Sequence, residues 1–146
     1  MAGTPERKDP YRGFNFKVEL GGRIVAGFRE ASGLDSSQDP IEYREEADGV
    51  LTARKLPGLN KHSTISLKRG VTGDAKLWEW RKKAMGEKVE RMNGSIVLLD
   101  DAGEEQTRWN FVAGWPTKWI GPSFSATSNE VAIETLEIAH EGIEKA

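Results

Sequence analysis

Cysteine is absent from this chain. Its absence removes disulfides, thiolate nucleophiles, thiolate zinc sites and iron–sulfur ligation together. Such a chain folds in a reducing cytoplasm and survives outside a cell without redox dependence. No apolar run approaches the roughly 18 residues that a membrane helix needs. The leading MAGTPERKDP is polar and has no apolar core of a secretory signal. The expectation is cytoplasmic synthesis without signal-dependent export. An excess of one charge is lacking too: 21 basic and 23 acidic residues leave a net −2. Nonspecific nucleic-acid binding needs a basic surface that releases counterions, and the overall balance does not supply one. The familiar catalytic signatures are also missing. There is no GxSxG elbow, no glycine-rich loop followed by GK[ST], and no GxGxxG.

What remains suits one domain with one core, residues 1–146, with 1–10 a flexible arm. Hydrophobic residues make up 37%, slightly low for this length, which points some of the five tryptophans and five phenylalanines toward a neighbouring subunit. After a leading turn at Tyr11 to Gly13, FNFKVEL alternates, with Phe14, Phe16, Val18 and Leu20 on one face. Gly21-Gly22 is a hairpin turn into RIVAGFRE, a second strand with Gly27 as a bulge. Ala31 to Asp39 is a turn or ragged strand start, and a third strand begins at Ile41, with Ile41 and Tyr43 on one face. That pattern fades into charge at Arg44, Glu45 and Glu46, and Asp48-Gly49 marks a turn.

The most distinctive stretch is KLPGLNKHSTISLKRG, Lys55 to Gly70, running into VTGDAKLWEWRKKAMG. It reads as a loop, a half-buried strand, a turn and a helix. The loop, from the Asp48-Gly49 turn to Asn60, carries Leu51, Leu56 and Leu59 without periodicity, and a partner subunit is a better place for them than water. Asp74 to Met85 is the clearest helix, with Thr72 or Asp74 as cap and Gly86 as terminator. Its stripe is Leu77, Trp80 and Ala84. Trp78 and Trp80 cannot share one narrow stripe, so at least one reaches a second surface. Arg81, Lys82 and Lys83 complement the helix dipole at its C-terminal end.

NGSIVLLDDAGEEQTRWNFVAGWP reads as a long hairpin. Ser95 to Leu99 is its apolar strand and Asp101 to Glu104 its turn. Trp109, Phe111, Ala113 and Trp115 share a face of the return strand, which Pro116 ends or bends. Trp119 to Ser125 is an irregular crossing segment. EVAIETLEIAHEG is a bulged strand or a short helix, the strand being preferred in a β-rich chain. The sum is six or seven strands with one helix, as a closed or nearly closed barrel or a sandwich.

Candidate chemistry is thin. His62 and His140 are the two histidines, and each reads as surface or hydrogen-bonded filler. Glu137 and His140 would share a face only on a helix; in a strand their spacing puts them on opposite faces. Glu45-Glu46, Asp100-Asp101 and Glu104-Glu105 are solvated turn charges, since adjacent pairs do not span a cleft. Asp74 opposes an anion at VTGD. Trp109, Phe111 and Trp115 form core or interface packing rather than base-stacking platforms. Basic clusters at Arg54-Lys55, Lys68-Arg69 and Arg81 to Lys83, with an acidic run at Glu42 to Glu46, permit complementary contacts between identical subunits. No catalytic residue, cofactor or metal is assigned.

The blocks DPYRGFNFKVEL, AGFREASGL, IEYRE, KLPGLNKHSTISLKRGVTGDAKLWEWRKK and NGSIVLLDDAGEEQTRWNFVAGWPTKWIGPSFSATSNEVAIETLEIAHEG resemble the inner tube proteins of contractile phage tails and of phage-tail-like extracellular contractile injection systems. The resemblance covers Asp9 to Gly142 and leans toward the injection particle. It implies a mainly β fold, a β-barrel of two packed sheets with one flanking helix, related to the type VI secretion tube protein. It implies hexameric rings that stack helically into a hollow tube inside a contractile sheath, driven through a target envelope to deliver cargo. The implied partners are further copies of the chain, the sheath protein, baseplate or spike proteins, a tube terminator, and cargo or a tape-measure protein in the lumen. Sequence-specific nucleic-acid binding is not among them. Assembly would occur in a bacterial or archaeal cytoplasm, and the product would be an extracellular particle or phage virion. By the same resemblance, Lys55, Leu56, Pro57, Gly58 and Leu59 form a loop that reaches neighbours in the ring and the stack, and Arg81, Lys82 and Lys83 face the sheath. The alternatives are a specialised first-ring protein near the spike, a type VI-like ring-forming effector carrier, and an enzyme on a β scaffold.

Overall fold

The structure is a computed structural model and describes residues 15–25, 27–43, 54–86, 88–127 and 129–146. The leading arm and turn, Phe14, the charged run at 44–46, the turn at 48–49 and Leu51 lie outside the described residues. The elements in chain order are β1 Phe16–Leu20, β2 Arg23–Val25, β3 Phe28–Ser32, β4 Ser36–Tyr43, β5 Arg54–His62, β6 Ile65–Gly70, α1 Lys76–Met85, β7 Met92–Leu99, β8 Glu105–Ile120, β9 Ile133–Ala139 and β10 Gly142–Lys145.

The main sheet path runs β2-β1-β7-β8-β9-β6-β3, with β10 also on β8. Its pairings are antiparallel. The 16-residue β8 joins two sheets. Its first part pairs with β7 up to Gly114, and its last part pairs with β9 from Trp115 onward. β9 and β10 continue one another along it, with Ala139 opposite Trp115 and Gly142 opposite Val112.

β8 bends at Ala113, which has a φ of 53°. Non-glycine residues rarely adopt that left-handed region, and here it accompanies a register shift against β7 between Met92 and Gly94. The irregularity resets which residues point inward. Trp109, Phe111, Ala113 and Trp115 therefore do not share one buried face: beyond Phe111, the buried positions are Gly114 and Pro116. Pro116 does not end the strand, which bends and continues to Ile120.

Similar local causes correct other expectations. RIVAGFRE is two strands, β2 and β3, at opposite ends of the path, broken around Gly27 with a φ of 88°. The third strand starts at Ser36, before Ile41. The stretch from Lys55 to Leu59 is not a loop; it lies in β5, paired with β4. The last element, by contrast, is the strand that the β-rich chain favours, with Leu136 and Ile138 buried.

One apolar cluster gathers Val18 and Leu20 from β1, Ile96 from β7, Phe111 from β8, Ile65 and Leu67 from β6, Leu136 and Ile138 from β9, and Leu77 and Trp80 from α1. Phe111 lies against two glycines. A Cβ on Gly94 would lie 2.3 Å from its Cζ, and one on Gly114 would lie 2.6 Å from its Cε2. The ring occupies space that only those glycines leave.

α1 begins at Lys76, two residues later than the sequence suggests. Ala75 occupies the cap position without a side-chain bond, while Asp74 Oδ1 accepts the Lys76 N–H at 3.0 Å. Gly86 caps its end, donating to the Lys83 carbonyl at 3.1 Å. Trp80 is buried and its Nε1–H donates to the Glu90 carbonyl at 2.8 Å. Trp78 turns outward and meets Trp119 edge-on at 5.5 Å, so the two tryptophans do serve two surfaces. Arg69, in the Lys68-Arg69 cluster, is not a surface cation. It is buried beneath the helix start, donating to Glu134 at 2.7 Å and to the Asp74 carbonyl at 3.1 Å.

Candidate assembly surface

β4 and β5 stand apart from the main path as a two-stranded arm. Their register sets Ile41 opposite Leu56, Pro40 opposite Pro57 and Ser36 opposite His62. A bulge between Gln38 and Pro40 accommodates Gly58, whose Cβ position would lie 2.4 Å from the Asp39 carbonyl oxygen. Gln38 donates to the Gly58 carbonyl at 2.7 Å, and Lys61 pairs with Asp39. These contacts hold the arm's two strands to each other. They do not cover its apolar side chains: Ile41 is 55% exposed, Leu56 46% and Leu59 83%. An isolated two-stranded hairpin is marginal in water, and uncovered leucines add to its need for a second surface.

The predicted contact residues thus occupy one short segment of one strand. The predicted basic residues lie elsewhere, at the C-terminal end of α1. Arg81 is half-buried, while Lys82 and Lys83 are exposed. Lys83 lies 3.4 Å from Glu90. Trp78 and Met85, at 43% and 55% exposure, are on the same helix. The sequence sends at least one of Trp78 and Trp80 to a second surface, but it gives no sign that Met85 is exposed on the same helix beside the basic residues.

A charged ladder crosses the opposite face of the first sheet. Lys17 lies 3.5 Å from Glu19, and Arg108 bridges Glu19 at 3.2 Å and Glu105. The hydrogen bond that Arg108 donates to Glu105 holds the guanidinium pKa above its ordinary value, and Glu19 adds to the effect. Asp100 is structural: its Oδ1 accepts the Ala102 and Glu104 N–H groups at 2.9 and 2.8 Å across the β7–β8 turn. Trp109 is half-buried with Lys145 over its ring at 5.7 Å.

Among the described residues, no group of three or more His, Cys, Asp or Glu could hold a metal ion. His62 and His140, distant in sequence, come together with ring centroids 5.4 Å apart. Strand spacing gave no signal for that meeting, which depends on where the arm joins the body. Glu137 accepts from the Thr64 hydroxyl at 3.3 Å and lies 3.7 Å from Lys118. Among the described residues, no helix is long and apolar enough to cross a membrane.

Residues 12–144 match the family of the T4-like virus tail tube protein gp19. A chain from an extracellular contractile injection system, the PVC sheath–tube complex in its extended state, is 34% identical. That match covers 94% of this chain and 91% of that one, with a TM-score of 0.84. A chain from the anti-feeding prophage cap, the AFP tube terminating cap, is also 34% identical, covering 99% and 95%, with a TM-score of 0.88. Hcp1 from Flavobacterium johnsoniae is 20% identical over 90% of this chain and 94% of its own, with a TM-score of 0.57, and shares the fold. A comparison with curated protein sequences gives no match.

Proposed function

The chain belongs to the T4-like virus tail tube protein gp19 family, whose members are structural tube subunits forming stacked rings, and from that premise we propose that it builds the inner tube of an extracellular contractile injection particle. The match along nearly the whole chain carries this reading. Residues 1–146 act as one tube domain. Its copies close hexameric rings, and a ring-to-ring contact that does not close on itself lets stacking continue. The β4–β5 arm makes the contact between copies, through Lys55, Leu56, Pro57, Gly58 and Leu59. A contractile sheath surrounds the tube and meets it at Arg81, Lys82 and Lys83 of α1. Baseplate or spike proteins start the tube, a terminator ends it, and the lumen holds cargo or a tape-measure protein. Assembly occurs in the cytoplasm before the particle is released. The role is mechanical, because repeated interfaces make a stiff pipe from one small domain. Neighbouring copies also cover strand edges and apolar side chains that would otherwise drive disordered aggregation.

Within this reading the chain forms the bulk tube. The PVC and anti-feeding prophage cap matches cover 94% and 99% of this chain, and the absence of a long extra loop of the kind that would mark a specialised first ring supports the bulk tube.

Negative-stain electron microscopy across a concentration series tests the proposal, with and without the cognate baseplate components. Hollow rings or stacked tubes are expected, and their symmetry checks the hexamer. Small particles under both conditions would overturn the reading. Tubes that form only with the baseplate would mean that nucleation controls assembly.

A further inference from the structure

The most exposed large apolar side chain among the described residues is Phe124, at 87%. It sits in GPSFSAT, Gly121 to Thr127, an uncharged segment that follows β8. Pro122 restricts the backbone there, and the Ser125 and Thr127 hydroxyls lie 3.2 Å apart across a turn at 126–127. Just before the segment, Trp119 lies edge-on against Trp78 of α1. Beyond it, the Ala132 carbonyl accepts from the Val71 N–H at 2.9 Å. A phenyl ring is thus carried on a turn anchored at both ends, with most of its own surface open.

The other flank of the same helix holds a cleft of about 700 Å³, between α1 and the β1–β2 hairpin. Its apolar lining includes the buried Leu20, Leu77 and Trp80, and Ile24, which is 64% exposed. Around them stand three cations, Arg23, Lys76 and Lys83, and three carboxylates, Asp74, Glu79 and Glu90. The rim has no excess of either sign. An uncharged guest with hydroxyl groups, which both donate and accept, therefore suits it. Clefts of about 300–1,000 Å³ hold drug-sized ligands, so there is room for a phenyl ring and part of the turn that carries it. In α1, Trp78 projects roughly half a turn away from Lys76, Trp80 and Lys83. The helix thus separates the cleft from Trp119 and the Phe124 turn, and turn and cleft lie apart within one chain.

We propose that the Phe124 turn of one copy seats in the α1–β1–β2 cleft of the next. A projection on one flank and a recess on the other make a heterologous contact, which passes from copy to copy around a ring instead of closing as a two-fold dimer. The inference rests on the tube reading for its partner, a second copy, and adds to that reading a named contact separate from the β4–β5 arm. The arm would bring Arg54, Lys55 and Lys61 to the cleft, whereas the turn brings no charge. Phe124 supplies the apolar anchor, and the serine and threonine hydroxyls beside it meet the mixed rim.

The chain has no cysteine of its own, so disulfide trapping reads this contact without background. Ser123→Cys and Arg23→Cys put one thiol on the turn and one at the cleft while keeping Phe124. Oxidised across a concentration series, the double variant should give a ladder of covalent multimers on a denaturing, non-reducing gel. A mixture of the two single variants should stop at dimers. Ser123→Cys combined with Val112→Cys, which is also exposed, should give no ladder. Adding Phe124→Ser to the first double variant should lower the trapped yield at least about tenfold, with the melting temperature of the unassembled chain unchanged. No ladder, in a parent chain that forms rings by electron microscopy, would overturn this contact and leave the tube reading standing. A ladder without rings would do the reverse, and the absence of both would overturn the two together. A ladder undiminished by Phe124→Ser would overturn the contact, as would trapping of Arg23→Cys by Leu56→Cys of the arm in place of Ser123→Cys.

Discussion

Replacing Leu56 and Leu59 with threonine separates folding from assembly. Threonine keeps strand propensity in β5. The two leucines are 46% and 83% exposed in the isolated chain, so their loss removes little of the core. Surface changes of this kind usually alter stability by no more than about 0.5 kcal/mol. In a tube the same side chains would be covered. Fully burying a leucine contributes about 1.5–3 kcal/mol, so covering the exposed fractions of both is worth about 2–4 kcal/mol per subunit. Threonine retains a methyl group, which leaves a loss near the lower bound, about 2 kcal/mol. At about 1.4 kcal/mol per tenfold change in affinity, the critical concentration for tube formation should rise about thirtyfold. Sedimentation of tubes across a dilution series measures that concentration, and thermal melting of the unassembled subunit reports folding. A tube yield matching the parent chain at every dilution, with melting unchanged, would refute an assembly role for these leucines. A large fall in melting temperature would instead show that the arm supports its own subunit.

Three further perturbations follow from named contacts. Charge reversal of Arg81, Lys82 and Lys83 to glutamate should cost the helix about 0.3–1 kcal/mol at each of Lys82 and Lys83 through its dipole, yet impair sheath attachment more than bare tube formation. Co-sedimentation with sheath measures this, and equal loss of both activities would contradict the assignment. Gly94→Ala or Gly114→Ala forces a methyl against the Phe111 ring and should destabilise the fold by about 1–3 kcal/mol in urea unfolding. Partial recovery in a double variant with Phe111→Leu is expected. Arg69→Met leaves the Glu134 carboxylate, only 11% exposed, without its buried partner, at a cost of about 3–5 kcal/mol. Adding Glu134→Gln should restore part of that loss in the same assay, and no restoration would place the effect in packing.

The sequence exposed the periodic elements because alternation and helical spacing are local properties. Phe16, Val18 and Leu20 lie on the inward-pointing side of β1, and Ile65 and Leu67 are buried as their pattern implies. Leu77 and Trp80 likewise mark the inner side of α1. It failed where backbone geometry, rather than residue type, sets direction. Alanine gives no sign of a left-handed φ, so the bend at Ala113 and the change of face beyond it were invisible. Arg69 follows Lys68 in what reads as a basic cluster, but only the pairing of β6 with β9 brings Glu134 beside it. The arm was legible as an apolar segment lacking a home, but not as paired strand, since Pro57-Gly58 signals a loop. The bulge opposite Gln38 to Pro40 reconciles that pair with a strand register.

The arm also shows why such a subunit lacks the local signals of a catalyst. An active site concentrates chemistry within one chain, where motif spacing can betray it. An assembly surface divides its energetics between chains, and each half is incomplete. On the proposed assembly role, the half that can be seen is a self-paired hairpin whose leucines are exposed, on a body that already buries its own core. Their sparse spacing forms no motif, and their meaning depends on the surface that covers them. Exposure in the folded chain, joined to the family match, therefore says more about this segment than its residue pattern does. The same logic predicts that substitutions compatible with a lone subunit will be poorly tolerated in the tube at Ile41, Leu56 and Leu59. A deep mutational scan selecting first for soluble folding and then for tube incorporation should show the two fitness profiles diverging at these positions while agreeing at Val18, Ile65 and Ile138. Agreement at all six would leave the arm with no role beyond its own fold.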